Sequence, residues 1–194
     1  SSEDFQKTEE ELLAYDMPLT EVIERNSVLD IQKIEDTGFI STVDAAVAAA
    51  SSAVTGSYVS SGEVGSVAKA DFKKLFDVLD GNELRAEVML MDAKMFNRMF
   101  LYDATTVGDA VGSEVHVNGY ATLFGRRLVV SNKVSLLDNK IYAFTAQDFM
   151  GQFCILNDVK FWIEKKKNII SFAAYESIGM GIGNSKSVAH LTLS

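Results

Sequence analysis

One proline stands in this chain of 194 residues, and the segment after it constrains the fold more than any other feature. From Leu19 onward, apolar residues recur at helical spacing: Val22, Ile23, Ile31, Ile34 and Ile40, with the small Ser27 in the same series. Pro18 suits the first helical position, where a helix has no use for the missing N–H. The Ala-rich "VDAAVAAASSA" extends the helix-favouring stretch. The pattern predicts a helix from about Pro18 to Thr37, continuing to Ala50, with Gly38 as its weak point. A helix of that length must lie along something. The acidic segment before it, "EDFQKTEEELLAYDM", reads as an extended arm holding one strand.

The rest of the chain changes character. "SAVTGSYVSSGEVGS" is small, polar and glycine-rich and reads as a loop. "VAKADFKKLFDVLDGNEL" is an amphipathic helix, with Phe72, Leu75, Phe76 and Leu79 on one face and Asp80-Gly81-Asn82 at its end. "RAEVMLMD" reads as a short buried strand and "AKMFNRMFLYD" as a short helix. Strand patterns then dominate. "EVHVNGYATLFGRRLVVSN" holds two runs with a turn at Asn118-Gly119. "KIYAFTA", "QFCILND", "KFWIEKK", "IISFAAYESIG" and the alternating "SVAHLTL" come next. A long helix, a mixed lobe and many strands make an α+β fold.

Composition narrows the function. With 18 basic and 27 acidic residues the net charge is −9, which argues against a DNA contact driven by counterion release over the whole surface. At 47% hydrophobic residues the chain can build a real core. The single cysteine, Cys154, rules out an internal disulfide framework. No apolar run approaches the length of a membrane-spanning helix, and no signal peptide is visible. The chain opens without Met, at "SSEDF", and reads as processed or partial.

Candidate chemistry is sparse. "ESIGMGIGNSKSVAHLTLS" places Gly179, Gly181 and Gly183 before Lys186-Ser187, in the order of a phosphate-binding loop. A dinucleotide fingerprint needs G-x-G-x-x-G opening a helix, and a P-loop needs Gly directly before its Lys. Here the spacing is G-x-G-x-G, Ser185 precedes Lys186, and a strand pattern comes after. The stretch therefore reads as paired strands, with the glycines permitting twist or close packing. His116 and His190 each sit in an alternating run, with no cysteine or carboxylate at metal-ligand spacing beside them. Cys154, between Phe153 and Ile155, reads as a buried, inert thiol. Glu176 is either a buried paired charge or an outward-facing strand residue, the latter being commoner. Lys165-Lys166-Lys167 reads as a solubilising hairpin tip, and alternation puts Phe161 and Trp162 on opposite faces, which argues against a base-stacking platform. No catalytic, cofactor-binding or metal-binding set emerges.

The order of segments resembles the major capsid proteins of tailed phages with the HK97-like fold. "AEVMLMDAKMFNRM" resembles that family's strand and helix around its w-v-M-n signal, and "ATLFGRRLVVSNKV" is similar to its t-L-l-G-r-P strand pair. "KIYAFTAQDFMGQFCIL" and "ISFAAYESIGMGIGNSKSVAHLTL" resemble its later strands, and "LTEVIERNSVLDIQKIEDTGFI" resembles its spine helix. The resemblance runs in order from about residue 9 to residue 194. Arg126-Arg127 departs from the usual r-P, Ile178 replaces a common Arg, and the family's N-terminal arm and first half-loop have no counterpart here.

The resemblance implies a structural subunit with no enzymatic activity and no cofactor. Its peripheral domain would take residues 1–54 and the closing strands 169–194, and its axial domain residues 55–168. It also implies copies of itself as partners, in pentamers and hexamers, with portal, scaffold or decoration proteins, only weak contact with packaged DNA, and no membrane. The expected location is the virion, after synthesis in the host cytoplasm. Two alternatives stand beside it: an encapsulin-like compartment shell, and a hydrolase using Cys154.

Overall fold

In the computed structural model, residues 2–8, 10, 19–56, 67–98, 122–132, 137 and 139–194 are described. The chain falls into two compact units, residues 1–39 with 153–180, and residues 40–152 with 181–194. The helix α1 (Leu19–Ala50) supplies residues 19–39 to the first and 40–50 to the second.

The first unit contains β1 (Ser2–Thr8) and most of β7 (Gly151–Lys166) and β8 (Ile169–Ile182). Their sheet has the order β1-β8-β7. β1 runs antiparallel to β8, pairing Ser2 with Tyr175 and Thr8 with Ile169. The arm does carry one strand. The runs "QFCILND" and "KFWIEKK", expected as separate strands, form the single strand β7. Nothing between them breaks it: Asp158 and Val159 tolerate extended backbone, and neither proline nor glycine intervenes. Ile23, Ile31, Phe172 and Ala174 are buried in this unit.

The helix runs unbroken through Gly38, supported one turn back by the Thr37 hydroxyl, which donates to the Lys33 carbonyl at 2.7 Å. One glycine costs a helix about 1 kcal/mol, which tertiary packing overrides. Val22 and Ile34, placed on the apolar face by spacing, are exposed instead.

The second unit is built on a six-stranded sheet ordered β2-β9-β6-β3-β5-β4. Its members are β2 (Ala53–Gly56), β3 (Val88–Asp92), β4 (Thr122–Leu123), β5 (Arg126–Ser131), β6 (Lys140–Phe144) and β9 (Val188–Leu193). β2 with β9 and β3 with β5 are parallel; β9 with β6, β6 with β3 and β4 with β5 are antiparallel. Two more helices belong here, α2 (Lys69–Asp80) and the short α3 (Ala93–Arg98). The core joins Phe72, Leu75 and Leu79 of α2 to Met89, Ile141 and Leu191 of the sheet. Strand alternation sends Ile141 and Ala143 into that core, whereas Tyr142 between them reaches Asp44 of α1.

One local feature corrects the sequence reading. "SAVTG" has the composition of a loop, but Ala53–Gly56 is the edge strand β2 beside β9. A Cβ on Gly56 would lie 2.6 Å from Leu193 and 2.9 Å from Asp71, so glycine is what lets the strand approach this closely. The hairpin between β4 and β5 turns at Phe124-Gly125, both residues in the left-handed region at φ 53° and 71°. An aromatic residue rarely adopts that conformation. Phe124 is held there by rings: its centroid lies 5.1 Å from Phe72 and 6.2 Å from Phe76. The expected turn at Asn118-Gly119 lies outside the described residues.

The end of α1 is closed by backbone alone. Ser52 N–H donates to the Val47 carbonyl and Ser51 N–H to that of Ala48, with Ser51 at φ 55°. This is a Schellman closure with serine where glycine is usual.

Candidate functional site

The most distinctive surface is the β7–β8 hairpin of the first unit. Along β7, Phe153, Ile155, Leu156, Phe161, Trp162 and Ile163 are all exposed, Leu156 to 80% and Trp162 to 63%. Burial of such side chains is ordinarily the main source of folding free energy, about 1.5–3 kcal/mol each. A run of them open to water marks an interaction surface. Cys154 lies in the same stretch and is exposed, so the expectation of a buried thiol is corrected. The apolar run around it lies in an edge strand, with Phe153, Ile155 and Leu156 exposed.

The hairpin tip matches its expectation. β7 ends at Lys166, Lys167 turns at φ 55°, and Lys165, Lys166 and Lys167 are exposed. Lys166 and Glu164 stand 3.7 Å apart with side chains 83% and 56% exposed, an ion pair of little energetic weight.

Glu176 is a second correction. It is buried, at 8% exposure, and sits beside Glu35 of α1, both in the first unit. Burial, then the charge of Glu176 and the hydrogen bond to it, hold the Glu35 carboxyl above the ordinary carboxylate range, with smaller contributions from Asp36 and Asp158. The two carboxyls share a site best when one is protonated.

The second unit holds a separate polar node. Asp44 of α1 accepts hydrogen bonds from Lys140 Nζ at 2.8 Å and from Tyr142 Oη at 2.9 Å. His190 Nδ1 is 3.4 Å from Asp44 Oδ1, outside hydrogen-bond geometry, and the two form an ion pair only when His190 is protonated. Its ring meets that of Tyr142 edge to face at 5.7 Å. Burial pushes the His190 pKa below its usual value; the pull of Asp44 opposes this, and the charge of Lys140 adds to it. Burial, with the Asp44 hydrogen bond and charge, also raises Tyr142, which therefore stays a donor. Spacing within the sequence shows no carboxylate beside His190, because Asp44 comes from a helix far away along the chain. The arrangement ties α1 to the sheet. Cys154 belongs to the first unit and His190 to the second, and His116 lies outside the described residues.

The glycine-rich stretch is strand. Gly179 and Gly181 lie in β8, Gly183 just beyond it, and a single 3-10 turn at Ser185–Ser187 leads into β9. The Asn184 side chain accepts from Lys186 N–H at 3.1 Å and fixes that turn. A Cβ at Gly179, Gly181 or Gly183 would meet nothing within 4 Å, so close packing does not account for these glycines. Among the described residues no three His, Cys, Asp or Glu side chains are grouped to hold a metal ion, and no helix is long and apolar enough to cross a membrane.

No family model and no curated protein matches this sequence. Solved structures do match. A structure from Microbacterium phage Oxtober96 superposes with a TM-score of 0.77 at 11% identity, over 100% of this chain and 72% of that one. The asymmetric unit of the bacteriophage PhiM1 mature capsid gives 0.66 at 9% identity, over 100% and 70%. A virus-like particle from Pyrococcus furiosus gives 0.57 at 15%, over 98% and 75%. Likeness at such low identity speaks for the fold alone, and that fold is the HK97-like fold of tailed-phage major capsid proteins.

Proposed function

We propose that the chain is the major capsid subunit of a tailed-phage-like icosahedral head, a structural protein without enzymatic activity. The observation that carries this reading is that all of the chain superposes on a mature phage capsid subunit. The exposed apolar strand β7 supports it, because a subunit that buries this surface only against neighbours must assemble. Each sheet has edge strands among the described residues, and an edge strand is where a neighbour can add a strand. Closed symmetric shells reuse each contact many times, so modest interfaces suffice.

In this reading residues 55–168 serve as the axial domain and residues 1–54 with 169–194 as the peripheral domain, and copies gather into pentamers and hexamers. Portal, scaffold or decoration proteins would be further partners, and the virion the location. The net charge of −9 suits a wall that must release packaged DNA. An encapsulin-like compartment is the second reading, which a bound cargo would separate from a virion shell. Electron microscopy of the expressed full gene product tests the proposal. Closed shells are expected, and monodisperse monomers under every assembly condition would overturn it.

A further inference from the structure

The free edge of β7 carries a charge pattern that selects a partner. Among the described residues β7, a strand of 16 residues, has one strand neighbour, β8, and so stands at the edge of its sheet. Such an edge is a template for strand addition. Charges of opposite sign stand at equal steps on either side of Trp162. Two residues away are Lys160 and Glu164; four residues away are Asp158 and Lys166. All five side chains are exposed, and all fall on one face by alternation.

An antiparallel pair of two β7 strands centred on Trp162 sets Lys160 opposite the second copy's Glu164 and Asp158 opposite its Lys166. By symmetry each pair forms twice. On the other face Phe161 stands opposite Ile163, an aromatic against a β-branched side chain, which is among the favoured cross-strand pairs. Charge also discriminates against the neighbouring registers. Centring on Phe161 opposes Asp158 to Glu164, and centring on Ile163 opposes Lys160 to Lys166. Centring on Lys160 or Glu164 sets each against itself. Only the Trp162 register among these five is free of like-charge pairs.

We infer that β7 pairs with β7 of a second copy about a two-fold axis through Trp162, joining two three-stranded sheets into one of six. A two-fold normal to the sheet keeps each residue's face and demands such a self-complementary sequence. The weak Lys166–Glu164 pair within one strand gives way to pairs between strands. The inference rests on the capsid reading for its role, as a contact between subunits of a shell, but the pairing itself can be tested apart from shell closure.

The test uses the full chain with Cys154→Ser, so that the native thiol is absent. Residues directly opposite in an antiparallel pair have Cα atoms about 4.5–5.5 Å apart, within disulfide range. Trp162→Cys should therefore cross-link to itself under mild oxidation, and Leu156→Cys, twelve steps out of register with its own copy, should not. Independently, Lys160→Glu and Glu164→Lys should each raise the dimer dissociation constant about tenfold in analytical ultracentrifugation, through two like-charge pairs. The double variant restores both pairs and should return to within about threefold of the parent. Singles that dimerise like the parent, a double variant no better than the singles, or cross-linking at Leu156→Cys in place of Trp162→Cys would overturn the pairing. Closed shells without these dependences leave the capsid reading intact and reject the interface; cross-linked dimers that never close do the reverse.

Discussion

Replacing Asp44 by alanine tests how the second unit is held together. Asp44 is the acceptor for Tyr142 Oη at 2.9 Å and Lys140 Nζ at 2.8 Å. Tyr142 is fully buried, so its hydroxyl would lose a charged acceptor with little access to water in exchange. Hydrogen bonds to charged groups contribute about 1.5–3 kcal/mol. The Lys140 pair adds less, about 0.5 kcal/mol, because both side chains are about a quarter exposed and solvent screens them. Alanine returns about 0.5 kcal/mol through its better helix propensity. The net loss should be about 2 kcal/mol, or roughly 4–8 °C in Tm for a chain of this size. Urea denaturation at a protein concentration where the chain is monomeric measures it, since self-association would make stability depend on concentration. The decisive step is a double-mutant cycle with Tyr142→Phe. Once the hydroxyl is gone, Asp44→Ala should cost about 1.5 kcal/mol less than it does with Tyr142 present. Additive losses, or a single-variant loss below about 0.5 kcal/mol, would refute the claim that this hydrogen bond fastens α1 to β6.

Local geometry predicts four further outcomes. Gly56→Ala should destabilise by about 1–3 kcal/mol, because the added methyl overlaps Leu193 and the Asp71 carboxyl in a full core; chemical denaturation reads it. Ser51→Gly should stabilise by about 0.5–1 kcal/mol in the same assay, since glycine holds the left-handed closure of α1 without the Cβ penalty. His190 is held below its usual pKa by burial, so the unfolded chain binds its proton more readily than the folded one. Its share of stability is complete above about pH 6.5 and declines as pH falls through the lowered folded value. A His190→Gln variant, compared across pH 4.5–7.5, should lose that slope. Glu35 has the opposite sign: its folded pKa is raised, so the stability it confers is present below the unfolded value of 4.5 and lost as pH rises through the folded value. Glu35→Gln should therefore gain about 0.5 kcal/mol at pH 7, since burial and the neighbouring Glu176 disfavour a carboxylate at position 35.

How much of this is legible in the sequence depends on where each residue finds its partners. The helix α1, the amphipathic α2 and the strands β3, β6, β8 and β9 emerge from periodicity, because side chains three, four or two apart decide those elements locally. β2 does not, because "AVTG" is a strand only through β9, which arrives more than a hundred residues later. The strand pair around Gly125 is legible in "ATLFGRRLVVSNKV", but the left-handed backbone of Phe124 is not, because the rings of Phe72 and Phe76 that pack on it come from α2. Asp44 gives no sign of a site in the sequence, since Lys140 and Tyr142 lie 96 and 98 positions away. For Glu176 the sequence offers only how often strand acids face outward, and the carboxyl of Glu35 across the unit shows otherwise.

Cys154 marks a deeper limit. "GQFCIL" reads as core because an apolar run looks the same whether its own chain or a neighbouring copy covers it. Hydrophobic pattern reports that a surface is to be buried and is silent about by whom. Charges placed among the apolar residues carry the missing information. A strand buried inside its own domain would have to desolvate Asp158, Lys160, Glu164 and Lys166 at a cost of several kcal/mol per unpaired ion. At an edge they stay hydrated until a partner supplies opposite charges in register, and there they set which partner and which alignment are tolerated. The β7 sequence is apolar enough to demand cover and charged enough to refuse most covers, a combination that a self-assembling subunit needs and a monomeric core strand does not.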